Sequence, residues 1–296
     1  MSVPLLKPAL PLPGTRETLE ALLAFDTGPE GVEHLACARW LCARLEALGF
    51  ACRLHRPVEG APPVIEAHRP ARDMRGHVVM YGHYDVASAR HGEHGWDTPP
   101  EVLTERGGRW FALGVADNKG PLAARLVALA GLERTPALTW FIQGEEETGS
   151  VAASRVLGER MPGLEAGLWL EETGYHDHED GTLRLIARRM GPEPHVSEPP
   201  DAAMGNLLEA LHLLARRWGI GSRLEVRGLN KGAVAGGCPF NRNLPVGARY
   251  LALGINDSFS RIHASNESVP LWTFPLHAEE LQVAFRWVDE MARGLS

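Results

Sequence analysis

His77-Val-Val-Met-Tyr81 is a continuous apolar run of strand length, and Leu138–Ile142 is a second β-prone run that ends at Gly144. A strand without polar alternation has two apolar faces, so both must be covered. Helical patterns supply the cover. Apolar residues recur at helical spacing from Thr15 to Phe25, from Gly31 to Leu48, from Leu122 to Leu132, from the acidic triplet to about Arg160, from Ala202 to Trp218 and from His277 to Ala292. Thr15 reads as the N-cap of the first, and Gly49 closes the second. Further strands are expected at Ala51–His55, Val64–Ala67, Gly167–Leu170, Thr182–Arg189, Leu224–Val226 and Tyr250–Leu253. Strands alternating with helices predict an α/β protein, a three-layer α/β/α sandwich on a mostly parallel mixed sheet.

The 296 residues suffice for one large domain or two small ones. A net charge of -7 with only three lysines argues against a nucleic-acid partner, which needs clustered basic residues. No apolar run approaches membrane-spanning length, and the proline-broken N-terminus has no long apolar core of a signal peptide. Four cysteines without a C-x-x-C pair fit free thiols. A cytoplasmic setting is the expectation.

The polar residues of interest gather just after strand ends, where open α/β sheets bind ligands. They are His83 and Asp85, Asp117, Glu146 and Glu147, Glu171, and His263. Three adjacent acids, Glu145 to Glu147, have a plain reading as an acidic helix N-terminus, where negative charge suits the dipole. Beside two imidazoles and further carboxylates they permit another. Two divalent ions could be held if one carboxylate bridges them. Asp85, two residues from His83, suits the acceptor that fixes the ring tautomer. A spare acid could serve as general base on water.

Gly82-His83-Tyr84-Asp85-Val86, Asp117-Asn118-Lys119-Gly120, Glu145-Glu146-Glu147-Thr148-Gly149-Ser150, Glu171-Glu172-Thr173 and His263-Ala-Ser-Asn-Glu267 resemble, in order, the five signature blocks of the M20 metallopeptidases. That family takes in dipeptidases, carboxypeptidases and N-acyl amino acid deacylases. The final His-Ala-Ser-Asn-Glu and the Asp-Asn-Lys-Gly fit it better than M28-type aminopeptidases. The resemblance implies a di-metal hydrolase of amide bonds in small peptides, with N-acyl amino acids the alternative substrates. It implies one ion on His83, Asp117 and Glu171 and another on Asp117, Glu147 and His263, with Asp117 bridging and Glu146 as base. It also implies a cis Asp117–Asn118 peptide. Imidazole and carboxylate ligands suit zinc, and also cobalt or manganese.

Most M20 relatives insert a lid and dimerisation domain between the fourth block and the last histidine. Here the predicted strands and helix already fill residues 172 to 262, so the expectation is a single catalytic domain over 1–296 without a lid, as a monomer or a non-standard homodimer. The lid's substrate-gripping Arg and His then have no counterpart. Asn241, Arg242 and His178 are the local candidates to stand in for them, and a non-catalytic metal-binding module that has lost its substrate grip is the reading from another class.

Overall fold

A computed structural model describes residues 10–88, 95–177, 181–192, 197–221, 223–227 and 238–295. The two apolar runs lie side by side at the centre of its main sheet. β3 (Asp73–His83) pairs in parallel with β6 (Thr135–Gln143) on one side and with β7 (Leu168–Glu171) on the other. β12 (Arg249–Ala252) continues the parallel set beside β7. The flanks are antiparallel: β2 (Val64–Arg69) joins β6 and β1 (Ala51–His55) joins β2, while β9 (Thr182–Met190) joins β12. β9 also carries β8 (Tyr175–Asp177) and β10 (Ser197–Glu198) antiparallel, and β11 (Arg223–Arg227) parallel.

Alternate residues of the central strands enter two separate apolar layers. Val78, Met80, Leu168, Leu170 and Leu251 pack with α1 (Thr15–Leu23), α2 (His34–Ala47), α3 (Lys119–Ala130), α5 (Ala202–Arg217) and α7 (Thr273–Arg293). Val79, Tyr81, Trp169 and Tyr250 pack instead with α4 (Val151–Arg160) and the short α6 (Pro239–Arg242). Both faces of the unalternated runs are covered, as their composition requires. From Glu172 to Ile262 the chain runs through β8 to β12, α5 and α6, and each of those strands joins the main sheet. No helix among the described residues is long and apolar enough to cross a membrane. The four cysteines are free.

Several elements differ from the sequence expectation. Thr15 is the first helical residue, not the cap, and its hydroxyl donates back to the Leu12 carbonyl at 2.7 Å. α7 begins at Thr273, four residues before His277, because Thr273 Oγ1 donates to the Pro270 carbonyl and Pro275 fits a first turn. Part of the Gly-rich segment folds as α6, anchored by Phe240 stacked on Tyr81 with centroids 5.1 Å apart. A second, three-stranded sheet of β4 (Thr104–Arg106), β5 (Arg109–Phe111) and β13 (Ser268–Pro270) was not anticipated, since strands of three residues leave no readable periodicity.

One buried polar cluster ties α7 to the sheet. His176 Nε2 lies 2.7 Å from Glu280 Oε1, and His277 Nδ1 lies 3.7 Å from Glu280 Oε2, with all three residues buried. Burial pulls the His277 pKa down to about 4, and the nearby Arg125 adds to this. Burial raises the Glu280 pKa, but the imidazoles of His176 and His277 together more than offset it and leave Glu280 below the ordinary carboxylate range. The unfolded chain therefore takes up protons that the folded one refuses, so stability falls as pH drops from about 6.5 toward 4. The His277 contribution is on the order of 3 kcal/mol over that window. Urea unfolding at pH 7 and pH 4.5 is expected to show a smaller loss in His277→Gln than in the natural chain. Equal losses in the two proteins would refute this assignment.

Candidate metal centre

The rows of side chains facing α4 end in polar residues at the carboxyl edge of the sheet. His83 follows Val79 and Tyr81 on β3, and Glu171 follows Trp169 on β7, by the two-residue period of a strand. His83 is buried, with Nδ1 3.2 Å from Asp85 Oδ1 and Nε2 2.8 Å from Asp117 Oδ1. Asp85 uses its other oxygen to accept from the Glu147 backbone N–H at 2.9 Å. One carboxylate thereby orients the histidine and fixes the acidic triplet against it.

Asp117 sits on the turn into α3, and its peptide bond to Asn118 is cis. Its second oxygen, Oδ2, is 3.3 Å from His263 Nε2, which is 3.0 Å from Glu147 Oε1. His263 comes from the turn before β13, with a positive φ of 58°. Asp117 thus touches both imidazoles. Donor atoms of Asp117, Glu147 and His263 lie within 4.8 Å of one another, as do those of His83, Glu146 and Glu147. Glu171 stands at the same edge, its Oε2 accepting from the Thr173 amide at 3.0 Å and from the Tyr250 hydroxyl at 3.1 Å.

The acidic triplet divides its work. Gly144 has no room for a side chain, since a Cβ would fall 2.2 Å from the Tyr84 ring, so the chain passes tightly under His83's loop. Glu145 then turns back to cap α4, accepting from the amides of Ala152 and Ala153. The plain helix N-terminus reading therefore holds for Glu145. Glu146 and Glu147 face the histidines.

The electrostatics favour positive charge. Burial opposes protonation of His83, yet Asp117 and Asp85 raise its pKa well above the ordinary value. Hydrogen bonding to Asp117 and Glu147 raises His263 to about 10. Burial pushes Glu146 up to about 7, with Asp117, Glu147 and Asp85 adding to the rise and His83 opposing it. Imidazole nitrogens and carboxylate oxygens converging in such a field are a donor set that fits divalent cations.

Three supporting residues are not among the candidates drawn from the sequence. Arg125 on α3 donates to the carbonyls of Tyr81, Glu171 and Leu253, tying three adjacent strand ends together, and pairs with buried Glu172. Glu267 accepts from the amides of Gly114, Ala116 and Asp117, at 3.0, 2.6 and 3.0 Å, and so shapes the turn that presents Asp117. Tyr250 holds Glu171 as described above. Arg125 falls within an apolar helical pattern where an arginine reads as solvent-facing, so no sequence signal marks it. Glu267 belongs to the His263-Ala-Ser-Asn-Glu267 block, which did offer one.

The candidates for substrate contact are placed differently. Asn241 is buried on α6, its carbonyl accepting from Arg188 at 3.4 Å, and Arg242 beside it is exposed. His178 lies outside the described residues. His176, two residues earlier, is buried and locked to Glu280.

A family model, that of peptidase family M20/M25/M40, matches residues 79–286, which include every residue of the cluster. The chain belongs to this family. Among curated M20 relatives, a cysteinylglycine-S-conjugate dipeptidase of Corynebacterium striatum is 34% identical over 120 residues, 39% of this chain and 26% of its own length. The human beta-Ala-His dipeptidase is 39% identical over 101 residues, 32% of this chain and 20% of its own. A succinyl-diaminopimelate desuccinylase of Delftia acidovorans is 29% identical over 215 residues, 64% of this chain and 55% of its own. The chain thus spans about a quarter or less of these two dipeptidases. The M20 fold is shared with the metallo-carboxypeptidase Sso-CP2 of Sulfolobus solfataricus, at a TM-score of 0.66 and 15% identity over 94% of this chain and 100% of that one. Human carnosine dipeptidase 1 gives 0.62 and 16% over 95% and 97%.

Proposed function

We propose that this chain is a metal-dependent hydrolase of amide bonds in small peptides. The observation that carries the reading is Asp117, a single carboxylate with one oxygen on each of two histidines. His83, Asp117 and Glu171 would hold one divalent ion, and Asp117, Glu147 and His263 the other. Zinc suits the nitrogen and oxygen donors, as do cobalt and manganese. Ions held there would polarise the scissile carbonyl and make a nearby water more acidic.

The protein's own groups do the rest. Glu146, grouped with His83 and Glu147 but not needed to complete either proposed ligand set, takes a proton from the attacking water and returns it to the leaving amine. Asp85 keeps the His83 ring oriented by accepting from Nδ1, and Glu267 keeps the Asp117 turn in shape. We take residues 1–296 as one catalytic unit without a lid, since the strands between Glu172 and Ile262 belong to the main sheet. An open edge of that kind suits short substrates and a chain that acts as a monomer or a non-standard homodimer.

N-Deacylation is the second reading, favoured by the desuccinylase, whose likeness extends over 64% of this chain against 39% and 32% for the dipeptidases. Turnover of a panel of dipeptides and N-acyl amino acids, with added zinc and with a chelator, tests both. Chelator-sensitive hydrolysis of dipeptides is the expected result. Hydrolysis confined to N-acyl amino acids would move the assignment to a deacylase. Bound metal with no turnover on any substrate would leave a binding module.

A further inference from the structure

Two of the four thiols meet away from the metal centre. Cys42 lies on α2 and Cys52 on β1, ten residues further along the chain. Cys52 Sγ lies 3.7 Å from the Cys42 carbonyl oxygen, and its thiol also reaches the Cys42 sulfur as a hydrogen-bond donor. The backbone between them is fixed. Gly49 takes a positive φ of 86° just beyond α2, and the Phe50 amide donates to the Leu45 carbonyl at 3.0 Å. β1 is then held in register on β2, with Cys52 opposite Ala67. The folded backbone alone brings the two sulfurs together.

The four thiols differ in reactivity. Burial pushes Cys37 and Cys238 up to about 12, so both stay protonated and are poor nucleophiles. Cys42 is moved the other way, because the hydrogen bond from Cys52 lowers its pKa against burial and the nearby Glu46 carboxylate. The same hydrogen bond raises Cys52, and burial raises it further. One sulfur of the pair is thus disposed to attack, with a protonated partner beside it to resolve the product. The pair is also within reach of solvent. Cys42 is 9% exposed, Cys52 is partly buried, and β1 ends the sheet with no strand beyond it among the described residues.

We propose that Cys42 and Cys52 form a reversible oxidation site, closed to a disulfide by hydrogen peroxide. The Cys42 thiolate attacks one peroxide oxygen, the O–O bond breaks, and the other oxygen leaves as hydroxide and takes up the proton that Cys42 released. The Cys52 sulfur then attacks the sulfenic acid on Cys42. The S–O bond breaks as the S–S bond forms, and the Cys52 proton leaves with the expelled hydroxide as water. The two sulfurs together lose two electrons, and the peroxide is reduced to two waters. The proposed metal ligands are nitrogen and oxygen atoms, so closure removes none of them and is independent of the hydrolase reading.

The test exposes the full, reduced chain to hydrogen peroxide, alkylates the remaining thiols and digests with trypsin. Cleavage after Arg39, Arg44 and Arg53 separates residues 40–44 from residues 45–53, so only a Cys42–Cys52 disulfide holds these two peptides together. The expected product is that linked pair, lighter than its two peptides by two hydrogens and separated by dithiothreitol, with Cys37 and Cys238 still alkylated. In Cys42→Ser the Cys52 thiol is expected to be lost at least about tenfold more slowly, the share of thiolate that one unit of pKa carries. Cys42 and Cys52 both alkylated after exposure, a link to Cys37 or Cys238 instead, or equally fast loss of the Cys52 thiol in Cys42→Ser overturns the proposal.

Discussion

Glu146→Gln is expected to hydrolyse a dipeptide on the order of 1,000-fold more slowly than the natural chain while binding the same amount of metal. A positioned general base contributes about 100- to 10,000-fold, and glutamine preserves shape and polarity but cannot take a proton. The neighbouring acids should not compensate. Glu145 is committed to the amides of Ala152 and Ala153, and Glu147 is bound to His263. The measurement is kcat/KM beside metal content by mass spectrometry. Loss of metal together with activity would make Glu146 a ligand, an outcome its closeness to His83 and Glu147 makes worth checking. Unchanged turnover would remove it from the mechanism.

The second large effect is expected at Asp117. Asp117→Ala removes a ligand from both proposed ions and leaves His83 and His263 without their common partner. Affinity for zinc is expected to fall by at least about 100-fold at both positions, a loss at or beyond the upper end of what supporting residues cost. Asp85→Ala is the comparison. It removes only the acceptor at His83 Nδ1, for which about 10- to 100-fold is expected, confined to one ion. Competitive titration with a zinc-sensitive dye separates these outcomes. Retention of two tight ions in Asp117→Ala would show that the carboxylate does not bridge.

Much of this arrangement was legible because strand and site share a cause. An unalternated apolar run must be a covered strand, and a covered strand ends at an edge where polar residues meet solvent and ligand. His83 and Glu171 follow from that rule. Asp117, Glu147 and His263 were candidates by the same rule, but only the motif joined them into one site, since nothing in their local spacing says they meet. What escaped depends on contacts between distant elements. Arg125 looks like a solvent-facing residue until the three strand-end carbonyls beside it are known. His176 reads as part of a polar turn until β8 carries it under α7 to Glu280.

Anomalous diffraction from a zinc-soaked crystal would examine the paired-cation claim most directly. Two peaks are predicted on either side of Asp117, one shared with His83 and Glu171 and the other with Glu147 and His263. A single peak, or zinc bound away from Asp117, would contradict it.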